Sequence, residues 1–179
     1  SDIERVVKEV KDLLEEVRKD NERVMDEVRK LLEELKRKLR KVVEEVRRSN
    51  EELKKEVDRR NVSEEIRRKV EEIVRRSEEL LKRLEDTVKD IERKVRKLLE
   101  DSHREVKKAE DRIRELLKRG GEDVETLRKE VEELADDLRR ISEEVRDRVR
   151  KLVTKAEEIL RRVLETNKKL LKEVKETLK

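Results

Sequence analysis

The sequence of 179 residues has no cysteine, no proline and no aromatic residue, and it contains two glycines and one histidine. Without cysteine there is neither a disulfide nor thiol chemistry, so the fold must rest on packing. The aromatic side chains that commonly stack on bases or anchor a helix at a membrane interface are missing. No stretch approaches the run of about 20 apolar residues that a transmembrane helix needs. We therefore expect a soluble protein, cytoplasmic on recombinant expression, that binds neither nucleic acid nor membrane.

Charged residues make up 58% of the chain and hydrophobic residues 32%, a composition typical of long helices and coiled coils. Such a low apolar content can also indicate disorder. Here, however, 54 basic residues nearly balance 50 acidic ones, and the apolar residues recur with a regular period. These two features favour a folded, all-α chain.

Two breaks interrupt the helical pattern. At the first, Asn61-Val62-Ser63, asparagine suits the position just after a helix, and Ser63 can cap the next helix. The second is Gly120-Gly121, which lacks the lysine and hydroxyl residues of a phosphate-binding loop and therefore indicates a turn. Ser1 and Glu4 have the spacing of a capping box. The predicted helices cover residues of about 2–60, 64–119 and 123–178.

Within each segment the apolar residues follow one another at steps of three and four. The pattern has a repeat of about 18 residues, which is five turns of an α-helix. A stripe that keeps pace with the relaxed helix requires almost no supercoil, so nearly straight helices are expected. A second apolar row beside the first, which includes Leu32 and Leu81, widens each face enough to touch two neighbours. Because both connections are short, we predict a single antiparallel, up-down-up three-helix bundle over residues 1–179.

Several polar residues lie on or beside the apolar stripe. Antiparallel pairing through the turns brings them to shared levels: Asn21 with Ser102 and His103, and with Ser142 a turn away; Thr87 with Thr154; and Asn50 with Asn167, with Ser77 about a turn off. One hypothesis is that these sets are buried, hydrogen-bonded polar layers that fix the register and order of the helices. The alternative is that several of them sit at the core edge and bond to water or to the carbonyl four residues back.

No catalytic, metal or cofactor site is predicted. Glu100 and His103 have the spacing that supplies ligands in di-iron bundles, but those sites use the motif twice, and this chain has one histidine. Ser102 and His103 are adjacent on a helix and point about 100° apart, which does not suit a nucleophile and its base. The basic run from Lys36 to Lys41 is a candidate anion-binding patch, but by level it faces Glu85, Asp86, Glu157 and Glu158. Complementary charge between helices is the favoured interpretation.

The whole chain resembles computationally designed helical bundles. The similarity rests on Glu/Lys/Arg surfaces, Leu/Ile/Val cores, the capped turn Asn61-Val62-Ser63, the regular five-turn geometry and the polar residues in the core. The resemblance implies an idealised scaffold with no natural substrate or location, no cofactor and no required partner. An alternative is an interaction module whose apolar faces drive homo-oligomerisation or bind a designed helical partner.

Overall fold

The computed structural model describes residues 2–119 and 123–179 as three long helices. These are α1 (Asp2–Arg60), α2 (Glu64–Lys118) and α3 (Val124–Leu178). The second helix ends one residue earlier, and the third begins one residue later, than the sequence predicts. None of the described helices is apolar over a length sufficient to cross a lipid bilayer.

The chain forms two compact units, each built from part of every helix. The first unit contains Ser1–Leu31 and Arg93–Lys151, and the second contains Leu32–Glu92 and Leu152–Lys179. In the first, the start of α1 packs against the end of α2 and the start of α3, in a cluster of Val6, Val10, Ile113 and Val131. In the second, the end of α1 packs against the start of α2 and the end of α3, in a cluster of Leu53, Val57, Val70, Val74 and Val174.

These pairings require consecutive helices to run antiparallel, which confirms the predicted all-α three-helix bundle. That residues 1–179 form one body stays a prediction. The core of each unit is aliphatic, and most of the predicted stripe is buried, including Val28, Leu35, Val95 and Val149. Ile3, predicted to open the stripe, is 49% exposed because it lies in the first turn of α1, where fewer neighbours cover it.

The turn between α1 and α2 has the chemistry that its sequence predicts. Asn61 adopts a left-handed backbone conformation with φ of 48°. Ser63 Oγ accepts a hydrogen bond of 3.4 Å from the Ile66 backbone N–H, and so caps α2. Across the turn, Arg67 pairs with Asp58 at 2.9 Å. Asparagine tolerates this conformation better than other residues with a Cβ atom, so Asn61 can end the helix abruptly.

The start of α3 is capped by Asp123, whose Oδ1 accepts a hydrogen bond of 3.2 Å from the Glu125 backbone N–H. The sequence places Asp123 inside the helix, whereas it is the capping residue just before it. Gly120 and Gly121, predicted to form the second turn, lie outside the described residues, as does Ser1 of the predicted capping box.

Replacing Asn61 by valine should lower the free energy of unfolding by about 1–2 kcal/mol, because a β-branched residue clashes in the left-handed conformation. Urea unfolding followed by far-UV circular dichroism measures the change. Asn61→Gly is the matched control and should cost little, since glycine adopts this conformation freely. Equal losses in the two variants would show that the backbone conformation at Asn61 is not what matters.

Candidate functional site: two buried polar layers

The second unit contains a hydrogen-bonded set of three polar side chains, one from each helix. Asn50 Nδ2 donates to Ser77 Oγ at 3.2 Å, and Ser77 Oγ donates to Asn167 Oδ1, also at 3.2 Å. The three residues are 3%, 3% and 7% exposed, in that order. The predicted set of Asn50, Asn167 and Ser77 is therefore brought together, and Ser77 lies at its centre rather than a turn away.

The direction of these bonds follows from the chemistry of the groups. A serine hydroxyl has one proton and two lone pairs, whereas each asparagine amide has an acceptor and two donor hydrogens. Ser77 therefore links two amides that come from different helices, as an acceptor toward α1 and as a donor toward α3. A buried polar group without a partner costs about 1–3 kcal/mol, so this linkage stabilises the layer mainly by avoiding that penalty.

The first unit contains a second polar layer with the same helix composition, formed by Asn21, Ser102 and Ser142. Their level follows from the core cluster that contains Val17, Val106 and Leu138, because the three polar residues lie four residues away on the same helix faces. Ser142 Oγ donates to Asn21 Oδ1 at 3.3 Å, which joins α3 to α1.

Ser102 is the exception in this second layer. It is 3% exposed, and its hydroxyl has no hydrogen-bond partner among the described residues. In the other layer the corresponding serine, Ser77, reaches the amide of Asn167, whereas Ser102 has only the shorter Ser142 at the matching position of α3. The first unit therefore has an incomplete version of the layer found in the second.

Three predicted layer residues lie elsewhere. His103 and Thr154 are exposed, so the prediction that they are buried is wrong. Each is one residue beyond a buried position, Ser102 or Val153, and a step of one residue turns the side chain by about 100°. Thr87 is partly buried and donates to the carbonyl of Arg83 at 2.8 Å, so it does not form a layer with Thr154. For Thr87 the core-edge alternative is the correct one.

The other candidate sites do not assemble. Among the described residues, no group of three or more His, Cys, Asp or Glu side chains is arranged to hold a metal ion. Glu100 and His103 both lie at an open groove between α1 and α2 in the first unit, beside Met25, Leu99 and Val106. Ser102 faces the core while His103 faces this groove, so they cannot act together as nucleophile and base.

Two cations of the basic run from Lys36 to Lys41 form ion pairs with other helices. Lys38 Nζ lies 3.2 Å from Glu157, a pairing that the level of the run predicts, and Lys36 pairs with Glu92 of α2. Glu85, also predicted to face the run, pairs instead with Arg47 at 3.8 Å, six residues beyond the end of the run. Complementary charge between helices is thus observed at this run.

A bidentate ion pair of the first unit joins α1 to α2. Arg18 donates from Nε and a terminal nitrogen to the two carboxylate oxygens of Glu110, at 2.8 and 3.0 Å. These hydrogen bonds hold the pKa of Glu110 below its usual range, although partial burial opposes them. Lys36 and Glu92 occupy the equivalent positions one sequence repeat along the same two helices, and they also pair. The ion pairs therefore follow the same repeat as the apolar stripe.

No family model, no curated protein and no solved structure matches this chain.

Ser77 and Ser102 provide a matched pair of substitutions to alanine. Ser77→Ala leaves two buried amides short of a partner and should lower the free energy of unfolding by about 1–3 kcal/mol. Ser102→Ala removes a hydroxyl that has no partner and should raise it by about 1 kcal/mol. Both substitutions replace serine by alanine and therefore gain the same helix propensity. The difference between their effects on the free energy of unfolding therefore isolates the contribution of the hydrogen bonds. Urea unfolding of both variants measures it, and equal shifts would contradict the assigned bonds.

Glu110→Gln should destabilise the protein at neutral pH by less than about 1 kcal/mol, because Arg18 is half exposed and water screens the pair. Since the folded pKa of Glu110 is lowered, the stabilisation is fully present above the unfolded pKa and is lost as the pH falls through the folded value. The difference in melting temperature between the variant and the parent should therefore vanish in acid. Glu45→Gln, at an exposed residue, is the control and should show no such dependence.

Proposed function

We propose that the chain is a de novo designed structural scaffold, with no natural biochemical function, whose buried polar layers fix the register of its helices. The observation that carries this proposal is the bonded set of Asn50, Ser77 and Asn167, to which each helix contributes one side chain. The proposal assigns no catalytic, metal-binding or cofactor-binding role to any residue.

The need for a register signal comes from the five-turn repeat of the apolar stripe. When one helix slides along another by one repeat, its aliphatic side chains meet equivalent side chains again. The hydrophobic contribution depends on the area removed from water and is nearly the same in both registers. The burial of apolar area alone therefore discriminates poorly between the two registers.

The polar layers do not follow this repeat. A shift by one repeat brings an aliphatic residue to the place of each member of the bonded set, namely Leu32, Val95 and Val149. In a slipped register, each displaced polar side chain would be buried against methyl groups and would have no hydrogen-bond partner. This costs about 1–3 kcal/mol for each such group. The separation of the two layers along α1, from Asn21 to Asn50, is also not a whole number of repeats. This arrangement supports a role in specifying register, as a buried asparagine does in coiled coils.

The proposal is tested by replacing the bonded set with aliphatic residues in a triple variant, Asn50→Leu, Ser77→Val and Asn167→Leu. We expect higher resistance to urea, because packed apolar residues replace polar groups that lost their water. We also expect loss of a unique register. Cysteines introduced at Arg48 and Lys82, both exposed in the second unit, permit spin labelling of an otherwise cysteine-free chain.

Distances between the two labels separate the outcomes. The parent chain should give one narrow distribution, and the triple variant should give a broad or multiple one, because slipped helices move the labels apart. The control is an apolar exchange of similar size in the same core, Leu53→Met, which should leave the distribution narrow. A triple variant with the single narrow distribution of the parent would contradict the proposed role of the layer.

A further inference from the structure

The face between α2 and α3 differs from the two faces that involve α1. Ion pairs cross from α1 to α2, as in Arg18–Glu110, and from α1 to α3, as in Glu9–Arg128. Outside residues 90–94, no charged side chain of α2 pairs with one of α3 among the described residues. Outside residues 90–94, the α2–α3 face is therefore held by apolar contacts and by the hydrogen bond from Ser77 to Asn167, and its charged side chains are not paired across it.

In the second unit this face carries a group of four cations. Glu78 and Glu85 point toward α1, so side chains two residues away from them lie about 200° around α2 and border α3. By the same reasoning, the pairing of Glu157 with Lys38 places Lys155 and Ile159 on the side of α3 toward α2. We define the basic patch as the exposed cations around Leu80 and Ile159, which are Arg76, Arg83, Lys155 and Arg162.

The basic patch also exposes apolar surface. Ile159 of α3 is 37% exposed, one of two large apolar residues that the described chain leaves open to water, and Leu80 of α2 is partly buried. Arg83, Lys155 and Arg162 have no ion-pair partner among the described residues, and Arg76 pairs with Glu72 of its own helix. Like charges gathered around an apolar centre repel one another and stabilise nothing within the unit.

In the first unit the corresponding face carries a group of four carboxylates. His103 faces the groove toward α1, which places Asp101 and Glu105 on the opposite flank of α2. Arg139 and Arg146 point toward α1, which places Ile141 and the neighbouring carboxylates beside α2. We define the acidic patch as the exposed carboxylates around Leu98 and Ile141, which are Asp101, Glu105, Asp137 and Glu144.

Carboxylates of this acidic patch from the two helices lie at the same level. Glu105 and Asp137 each precede a member of one core cluster, Val106 and Leu138. Glu144 has no ion-pair partner among the described residues, and the others pair only with cations of their own helices, as Asp137 does with Arg140. Such exposed pairs within a helix contribute little stability and leave the carboxylates free to bind elsewhere.

We propose that a second copy of this chain covers the face, with the acidic patch of one molecule docked on the basic patch of the other. Each patch has four charges of one sign around two aliphatic side chains, so the patches match in charge and in apolar content. Docking brings opposite charges together and removes Ile159 from water. The attraction should also speed association at low ionic strength. This self-association goes beyond the proposed scaffold function and does not depend on the polar layers.

Two charge-reversed variants test the inference. One carries Arg83→Glu and Arg162→Glu, which leaves its basic patch with no net charge, and the other carries Glu105→Lys and Glu144→Lys, which leaves its acidic patch with no net charge. Sedimentation equilibrium with interference optics suits a chain without aromatics. The parent should exceed the 21.8 kDa of one chain as its concentration rises at low salt, and return to it at high salt. Each variant alone should stay at 21.8 kDa, and an equimolar mixture should associate again.

Controls with the same charge change on α1 are Lys41→Glu with Arg48→Glu, and Glu33→Lys with Glu45→Lys, at exposed residues without ion pairs. These should associate as the parent does, and circular dichroism should show that every variant keeps its helical content. A parent that remains at 21.8 kDa at all concentrations overturns the inference. The inference is also overturned if each charge-reversed variant still associates by itself. It is likewise overturned if their mixture stays monomeric although both variants are folded.

Discussion

The burial of aliphatic stripes is the constraint on which the rest of this structure depends. With neither disulfide nor aromatic residue in the chain, the two units are held by valine, leucine and isoleucine packed between three helices. Such packing stabilises strongly but says little about axial position, because the stripe returns every five turns with similar side chains. Information about alignment must therefore come from features that break the repeat, which here are the turns and the buried polar side chains.

The two polar layers show how the length of a side chain decides whether a buried hydroxyl is stabilising. In the second unit the Asn167 amide reaches Ser77, and both groups are satisfied. In the first unit the matching residue on α3 is Ser142, which bonds to Asn21 and leaves Ser102 without a partner. A layer that is only partly satisfied costs stability compared with an aliphatic core. We infer that the second unit carries the stronger register signal.

The sequence predicts the helices, the Asn61 turn and the inward position of Asn50, Ser77 and Asn167, because each depends on periodicity or on local backbone chemistry. The prediction that His103 and Thr154 are buried fails, because antiparallel pairing through the turns gives only the height of a residue along the bundle. It does not give the angle of the side chain around its helix, which changes by about 100° per residue. Ion pairs are predicted least well. Lysine and arginine side chains reach across a full turn, so Glu85 meets Arg47 rather than the basic run.

Among the described residues outside 90–94, ion pairs cross the two faces that involve α1 but not the face between α2 and α3. We infer that this difference reflects a requirement beyond the folding of a single chain. Exposed ion pairs contribute little stability, so those between α1 and its neighbours serve chiefly to orient helices. The same logic would place opposite charges across the α2–α3 face, yet Glu105 and Asp137 share a sign at one level, as do Arg83 and Arg162. Repulsion at these levels opposes the packing of α2 on α3, and an external partner of opposite charge would relieve it. In the proposed complex, the patch of the other unit in a second copy would supply that charge.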